Sequence, residues 1–178
     1  MEDADLGTLT READRFVPTF TRRLAHPPEV VWRAITEAEH LAAWFPQEIV
    51  GERRAGARLR FDSSTHESFD GEMLVFDPPS VMELTWGADQ LRIELEPDGS
   101  GTLLTLTDTF DDVGKAARAA AGWHECLDRL AGELDDAVPP ASGARWSRVH
   151  PRYVQRLGPE AATIGPPAAK AAPAERPW

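Results

Sequence analysis

Cysteine is almost absent from the chain: among 178 residues there is one, Cys126. That excludes an intramolecular disulfide framework and any zinc or iron–sulfur site built from several thiolates. Long apolar runs are absent too, and none approaches the ~20 residues that a membrane-spanning helix needs. The opening, Met1-Glu2-Asp3-Ala4-Asp5, is acidic and lacks the apolar stretch of a secretory signal. Basic charge is scarce, with 19 Lys and Arg against 30 Asp and Glu, a formal net charge of −11. Phosphate is repelled at long range by such a protein, which argues against a nucleic-acid partner. There is no GxSxG elbow, P-loop, dinucleotide glycine fingerprint or HExxH motif. The five histidines (His26, His40, His66, His124 and His150) are scattered. On a helix His124 and Cys126 point to nearly opposite sides, at about 100° per residue, so they form neither a zinc pair nor a catalytic dyad. No motif requires a metal or a cofactor. What is present, 42% hydrophobic and 28% charged residues, is ordinary for a soluble globular chain of about one domain. The default setting is cytoplasmic, with no membrane partner.

Residues Leu6 to Leu24 predict extended chain with a turn near Glu12-Ala13-Asp14, and Pro18 within it suggests an edge or a bulge. Pro27-Pro28-Glu29 predicts a helix start, since proline suits the first turn and an acid its positive end. Thr36-Glu37-Ala38-Glu39 has capping-box spacing, so a second short helix is expected there, ending at Trp44-Phe45-Pro46. Alternation then predicts strands through Leu59 and Phe61, through Phe69, Gly71, Met73 and Val75, and through Met82, Leu84 and Trp86. Leu91, Ile93 and Leu95 continue the pattern. Pro97-Asp98-Gly99-Ser100-Gly101 is a hairpin turn before a last strand, Thr102 to Phe110. These are antiparallel strands with one buried face. Asp111 or Asp112 can cap a final helix of about six turns, with Val113, Ala116, Ala117, Ala120, Trp123, Leu127, Leu130 and Leu134 on its apolar side. The order is α+β, and curling the sheet around the long helix buries both apolar faces.

The C-terminal part differs in composition. Eight of the 15 prolines lie from Pro139 onward. The same stretch has six basic and two acidic side chains, a net +4, so the body carries −15 of the total of −11. Arg145, Arg148, Arg152 and Arg156 share one face at helical spacing, beside Trp146, Val149, Tyr153 and Leu157. This predicts an amphipathic extension, residues 138–165, that docks through its apolar side on a core domain of residues 1–137 or on a partner subunit. The basic stripe permits a homodimer arm without requiring one. Pro151 predicts a kink or two short pieces. Residues 166–178 form a Pro/Ala tail expected to be disordered.

The run His26-Pro27-Pro28-Glu29-Val30-Val31-Trp32, then Glu39-His40-Leu41 and Trp44-Phe45-Pro46, closely resembles the opening of the START-related SRPBCC superfamily. Within it the match is to bacterial homologues of the activator of the heat-shock chaperone ATPase. Asp77-Pro78-Pro79, Leu84-Thr85-Trp86, Gly101-Thr102, Gly122-Trp123 and the segment Gly158 to Pro167 also look like that branch. The resemblance spans roughly Thr8 to Pro167 and is carried by the order and spacing of these motifs. It implies a helix-grip fold: a curved antiparallel sheet, with two short helices after the first strand, around a long C-terminal helix and a deep, mostly apolar cavity. The branch name implies a stress-response setting and a chaperone partner, although the chain lacks room for the extra N-terminal domain of the eukaryotic activators. The superfamily as a whole hosts lipid carriers, receptors, cyclases and co-chaperones on one scaffold.

On such a scaffold Trp44 and Phe45 would lie near the cavity entrance. Phe61, Phe69, Met73, Trp86, Phe110, Trp123 and Leu127 would line the cavity if the alternation holds, unless those side chains fill it. Asp108 is the most informative residue. If Leu104 and Leu106 face inward, period two carries Asp108 inward as well, where a carboxylate costs several kcal/mol unless paired or protonated. It would then be a polar anchor or general base with a raised pKa; otherwise it sits in water near the strand end. His66 and Glu67, on a Ser/Thr-rich turn, could approach the mouth. The ligand such a site implies is a hydrophobic or aromatic small molecule. Two alternatives stand beside simple binding: a cyclase- or aromatase-type enzyme using the cavity acid, and a co-chaperone.

Overall fold

The computed structural model describes residues 5–138 and 141–165; the tail 166–178, expected to be disordered, lies outside the described residues. Its eight strands are β1 (Thr8–Glu12), β2 (Arg15–Leu24), β3 (Glu48–Val50), β4 (Arg58–Asp62), β5 (Phe69–Asp77), β6 (Val81–Trp86), β7 (Asp89–Asp98) and β8 (Gly101–Thr109). They form one curved antiparallel sheet in the order β1-β2-β8-β7-β6-β5-β4-β3. Helices α1 (Pro28–Thr36) and α2 (Ala38–Trp44) fill the connection from β2 to β3. The long α3 (Ala116–Leu134) packs on the sheet through Ala117, Ala120, Trp123, Leu127 and Leu130. This is the helix-grip arrangement, an α+β fold, as the strand alternation and the helical stripe predict. No helix among the described residues is long and apolar enough to cross a membrane.

Several local expectations change. Thr36 is not a capping residue: its hydroxyl donates back to the Trp32 carbonyl at 2.7 Å, and Glu37 takes the cap position of α2 without a side-chain hydrogen bond. Pro18 is on neither an edge strand nor a bulge. The Phe16–Phe110 bridge and the Thr19–Thr107 pair place it opposite Asp108, where its missing N–H leaves a gap in the ladder between β2 and β8. The alternation of β5 is broken by a register shift between Met73 and Val75. The extra residue swaps the faces beyond it, so Phe76 rather than Val75 turns to the core, 5.2 Å from the Trp32 ring. The three-residue β3 was too short to give a pattern.

The C-terminal extension forms α4 (Ala144–Leu157), which lies against α3 through buried Trp146, Val149 and Tyr153. It runs as one helix through Pro151 rather than as two short pieces. Pro151 and Ser147, whose carbonyl loses its amide partner, both lie on the exposed face, so the helix forfeits that bond where water replaces it.

Candidate functional site

Along one side of α3 the sheet, the end of α2 and the start of α4 enclose a cleft of about 640 Å³. It opens to solvent past exposed Thr65, His66 and Ser142. A second groove of about 500 Å³ adjoins it, sharing Ala42, Phe45, Pro46, Gln47 and Thr65.

The apolar wall is a set of touching rings. Phe45, released from α2 by Pro46, lies 5.8 Å from Trp123 and 6.4 Å from Trp86. Trp86 and Trp123 are 5.2 Å apart. Two polar tips fix this wall: the Trp44 indole donates to the Ala34 carbonyl at 2.9 Å, and the Trp86 indole donates to Gln47 Oε1 at 3.0 Å. Ring pairs of this kind add about 1 kcal/mol each beyond the area they bury.

Asp108 is the most buried residue bordering the cleft, at 0% exposure. The inward parity of Leu104, Leu106 and Asp108 follows the strand alternation. The Trp123 indole donates to its Oδ2 at 2.8 Å, and Oδ1 has no hydrogen-bond partner among the described residues. Burial, reinforced by the Asp89 charge, pushes the Asp108 carboxyl up to about 7. The Trp123 hydrogen bond and the Lys115 and Arg15 charges pull the other way. Asp89 itself is held by Lys115, whose ammonium lies 2.6 Å from both carboxylate oxygens.

Five of the ten candidates therefore come together on the cleft: Trp44, Phe45, Trp86, Asp108 and Trp123. The other five do not border it. Phe61 and Phe69 are stacked at 5.1 Å behind Phe45 and Trp86, and Met73 and Leu127 are buried in the main core. Phe110 belongs to a separate small cluster with Ala116 and Ala161. These side chains pack into the core clusters, and the cleft lies toward the end of α2. His66 borders the mouth, whereas Glu67 does not.

Polar residues that the sequence reading missed complete the site. Lys115, Arg118, Arg129 and the small residues Ala119, Gly122 and Cys126 run along the cleft side of α3. Their signal was the spacing of Lys115, Gly122 and Arg129, seven residues apart, which is one helical stripe. The apolar face of the helix gives no sign of that stripe.

A second buried carboxyl, Glu125, also borders the cleft, and it is fully satisfied. Glu125 is 4% exposed; its Oε1 accepts from the Gly143 amide at 2.9 Å and its Oε2 from the Trp146 amide at 2.7 Å. It thereby caps α4, whose N-cap glycine has no side chain to do so. His124 Nδ1 lies 3.0 Å from the Tyr153 hydroxyl and Nε2 lies 3.2 Å from Arg145 Nη2. An arginine only donates, so Nε2 accepts, the proton is on Nδ1, and Tyr153 accepts it along with the Gly7 amide at 2.9 Å. Burial pushes the His124 pKa below the ordinary histidine range, with the Arg22 and Arg145 charges adding to it and Asp128 opposing.

An eight-stranded antiparallel sheet gripping a long C-terminal helix, with a cleft at its open end, defines a START-like protein. Residues 25–135 match the family model described as Activator of Hsp90 ATPase homolog 1-like protein, and the chain belongs to that family. Its fold is similar to a conserved protein of unknown function, EF2215, from Enterococcus faecalis. That pair has a TM-score of 0.74 at 22% identity, covering 85% of this chain and 90% of the other. The crystal structure of CalU16 from Micromonospora echinospora gives 0.71 at 22% identity, over 85% and 96%. The BPP1335 protein of Bordetella parapertussis gives 0.63 at 27% identity, over 82% and 87%. No curated protein matches the chain in sequence.

Proposed function

We propose that this protein binds an apolar, aromatic small molecule in the cleft beside α3. The observation that carries this reading is Asp108: a buried carboxyl held by Trp123, bordering a cleft also lined by Trp86 and Phe45, with one oxygen unpartnered. Half-satisfied buried carboxyls are costly and are kept where they serve a site. The cleft volume is in the range of small-molecule sites, and aromatic walls with few polar groups are their usual lining. Placement in the cytoplasm belongs to the same proposal.

A second reading is favoured by the same residue. A carboxyl with a pKa of about 7 and a free oxygen is suited to accept and return a proton, which supports acid–base chemistry of the cyclase or aromatase type. A co-chaperone role rests on the family name, and none of the geometry described above adds to it.

Native mass spectrometry of the protein from its own host, followed by denaturing extraction, tests the binding reading. A stoichiometric apolar or aromatic molecule is expected, and Asp108→Asn or Trp86→Ala should reduce its occupancy. A protein that stays empty after incubation with the host's lipid and aromatic extract overturns the reading.

A further inference from the structure

Gly122 is a residue without a packing reason. It sits in the middle of the 19-residue α3, where glycine is the least favourable ordinary choice. Elsewhere a glycine is required by contact: a Cβ on Gly71 would meet the Thr85 carbonyl oxygen at 2.3 Å. A Cβ on Gly122 would meet nothing within 4 Å. The empty space over it is the cleft, which Gly122 borders together with Ala119 and Cys126, one turn before and one turn after it. The helix thus presents bare backbone toward the cleft at Gly122, between the small side chains of Ala119 and Cys126 and beside the tilted rings of Trp86 and Trp123. Independently, Asp108 borders the same space with Oδ1 unpartnered, while its Oδ2 is fixed by the indole of the neighbouring Trp123.

Resting on the binding reading above, we propose that the ligand is a planar fused-ring aromatic bearing a hydroxyl or N–H donor: its ring face lies on the Ala119–Gly122–Cys126 strip and its donor bonds Asp108 Oδ1. Planarity follows from Gly122, because a flat ring can approach a helix backbone closely only where no Cβ stands, and the flanking Ala119 and Cys126 are small. The donor follows from the carboxylate, an acceptor-only group when ionised. A site built to accept such a bond discriminates strongly against an analogue that lacks the hydrogen.

Three probes of one skeleton separate these features: 2-naphthol, 2-methoxynaphthalene and decahydro-2-naphthol, titrated at pH 8 while the indole N–H resonance of Trp123 is followed by NMR. The expected result is that 2-naphthol shifts that resonance and binds at least ~tenfold more tightly than either relative. Asp108→Asn should remove the preference for the hydroxyl over the methoxy compound. Gly122→Ala should raise the thermal midpoint, as alanine suits a helix better, yet weaken 2-naphthol by ~tenfold or more through the added methyl. Because that variant folds at least as well, a loss of binding is not a loss of structure.

Equal affinity for the methoxy compound overturns the donor assignment, and equal affinity for the saturated alcohol overturns the planar seat. Unchanged 2-naphthol binding by Gly122→Ala also overturns the seat. Each of those results leaves the broader binding reading standing. If none of the three probes binds, the planar-donor assignment falls, and the host-extract experiment alone decides the broader reading.

Discussion

Two buried carboxyls border the cleft beside α3, and the two are treated in opposite ways. Glu125, facing α4, has both oxygens matched to backbone amides of one helix start. Asp108, meeting α3 through Trp123, has one oxygen matched and one without a partner. A cap joining two helices stabilises the fold, whereas an incompletely bonded buried carboxyl costs stability at neutral pH. The contrast separates a carboxyl that ties α4 to the scaffold from one left half-bonded at the same cleft. Polar burial alone does not make the distinction; the number of satisfied lone pairs does.

The largest effect that would sharpen this contrast is Glu125→Ala. It strands the Gly143 and Trp146 amides at the start of α4, and a loss of about 3 kcal/mol in chemical denaturation is expected. A loss below about 1 kcal/mol would break the contrast at Glu125.

Asp108→Asn should act with the opposite sign. The folded carboxyl has its pKa raised from 3.8 to about 7, so the folded state binds the proton more tightly than the unfolded one. Its stability therefore rises as pH falls from about 7 toward 4, and above 7 the cost of the buried charge is fully present. The variant should be about 2 kcal/mol more stable than the parent at pH 8 and nearly equal at pH 5. Asp89, Lys115 and Arg15 face this group and remain in place, so the difference isolates Asp108.

His124 opposes Asp108 over the same pH range. Its folded pKa is depressed, so the unfolded chain takes up the proton first and stability falls as pH drops below about 6.5. That slope is about 1 kcal/mol between pH 6.5 and 5.5, close in size to the Asp108 gain. The parent protein should be nearly flat in that interval. Asp108→Asn should expose the histidine-driven fall, and His124→Gln the aspartate-driven rise, in denaturation curves taken every half pH unit. The smallest effect is Tyr153→Phe, which removes the acceptor shared by the Gly7 amide and His124 Nδ1–H; about 1 kcal/mol is expected, with faster hydrogen exchange at Gly7.

The sheet and the gripped helix were legible because their signals are local and periodic. Leu91, Ile93 and Leu95 alternate along β7 and Leu104, Leu106 and Asp108 along β8; the alternation allows Asp108 an inward place or one in water at the strand end, and the fold takes the first. The bulge after Met73 was not legible, since the extra residue leaves the composition of β5 unchanged. Nor was the capping of α4 by Glu125, a contact between residues 18 apart in sequence that depends on how two helices meet. The candidate site was half legible: its aromatic wall follows from strand and helix parity. Which rings pack solid and which border open space is settled only by their joint packing, as Phe61 and Phe69 illustrate. Gly122 belongs to the Gly122-Trp123 pair of the family resemblance, while the open space above it depends on the fold.

The most direct test of the account is a pH titration of the Trp123 indole N–H by NMR, with and without 2-naphthol, because that proton reports on the carboxyl it bonds. The account predicts a midpoint near 7 in the free protein and a lower one with the probe bound, since a donated hydrogen bond favours the ionised carboxyl. A midpoint in the ordinary aspartate range, unmoved by the probe, would contradict it.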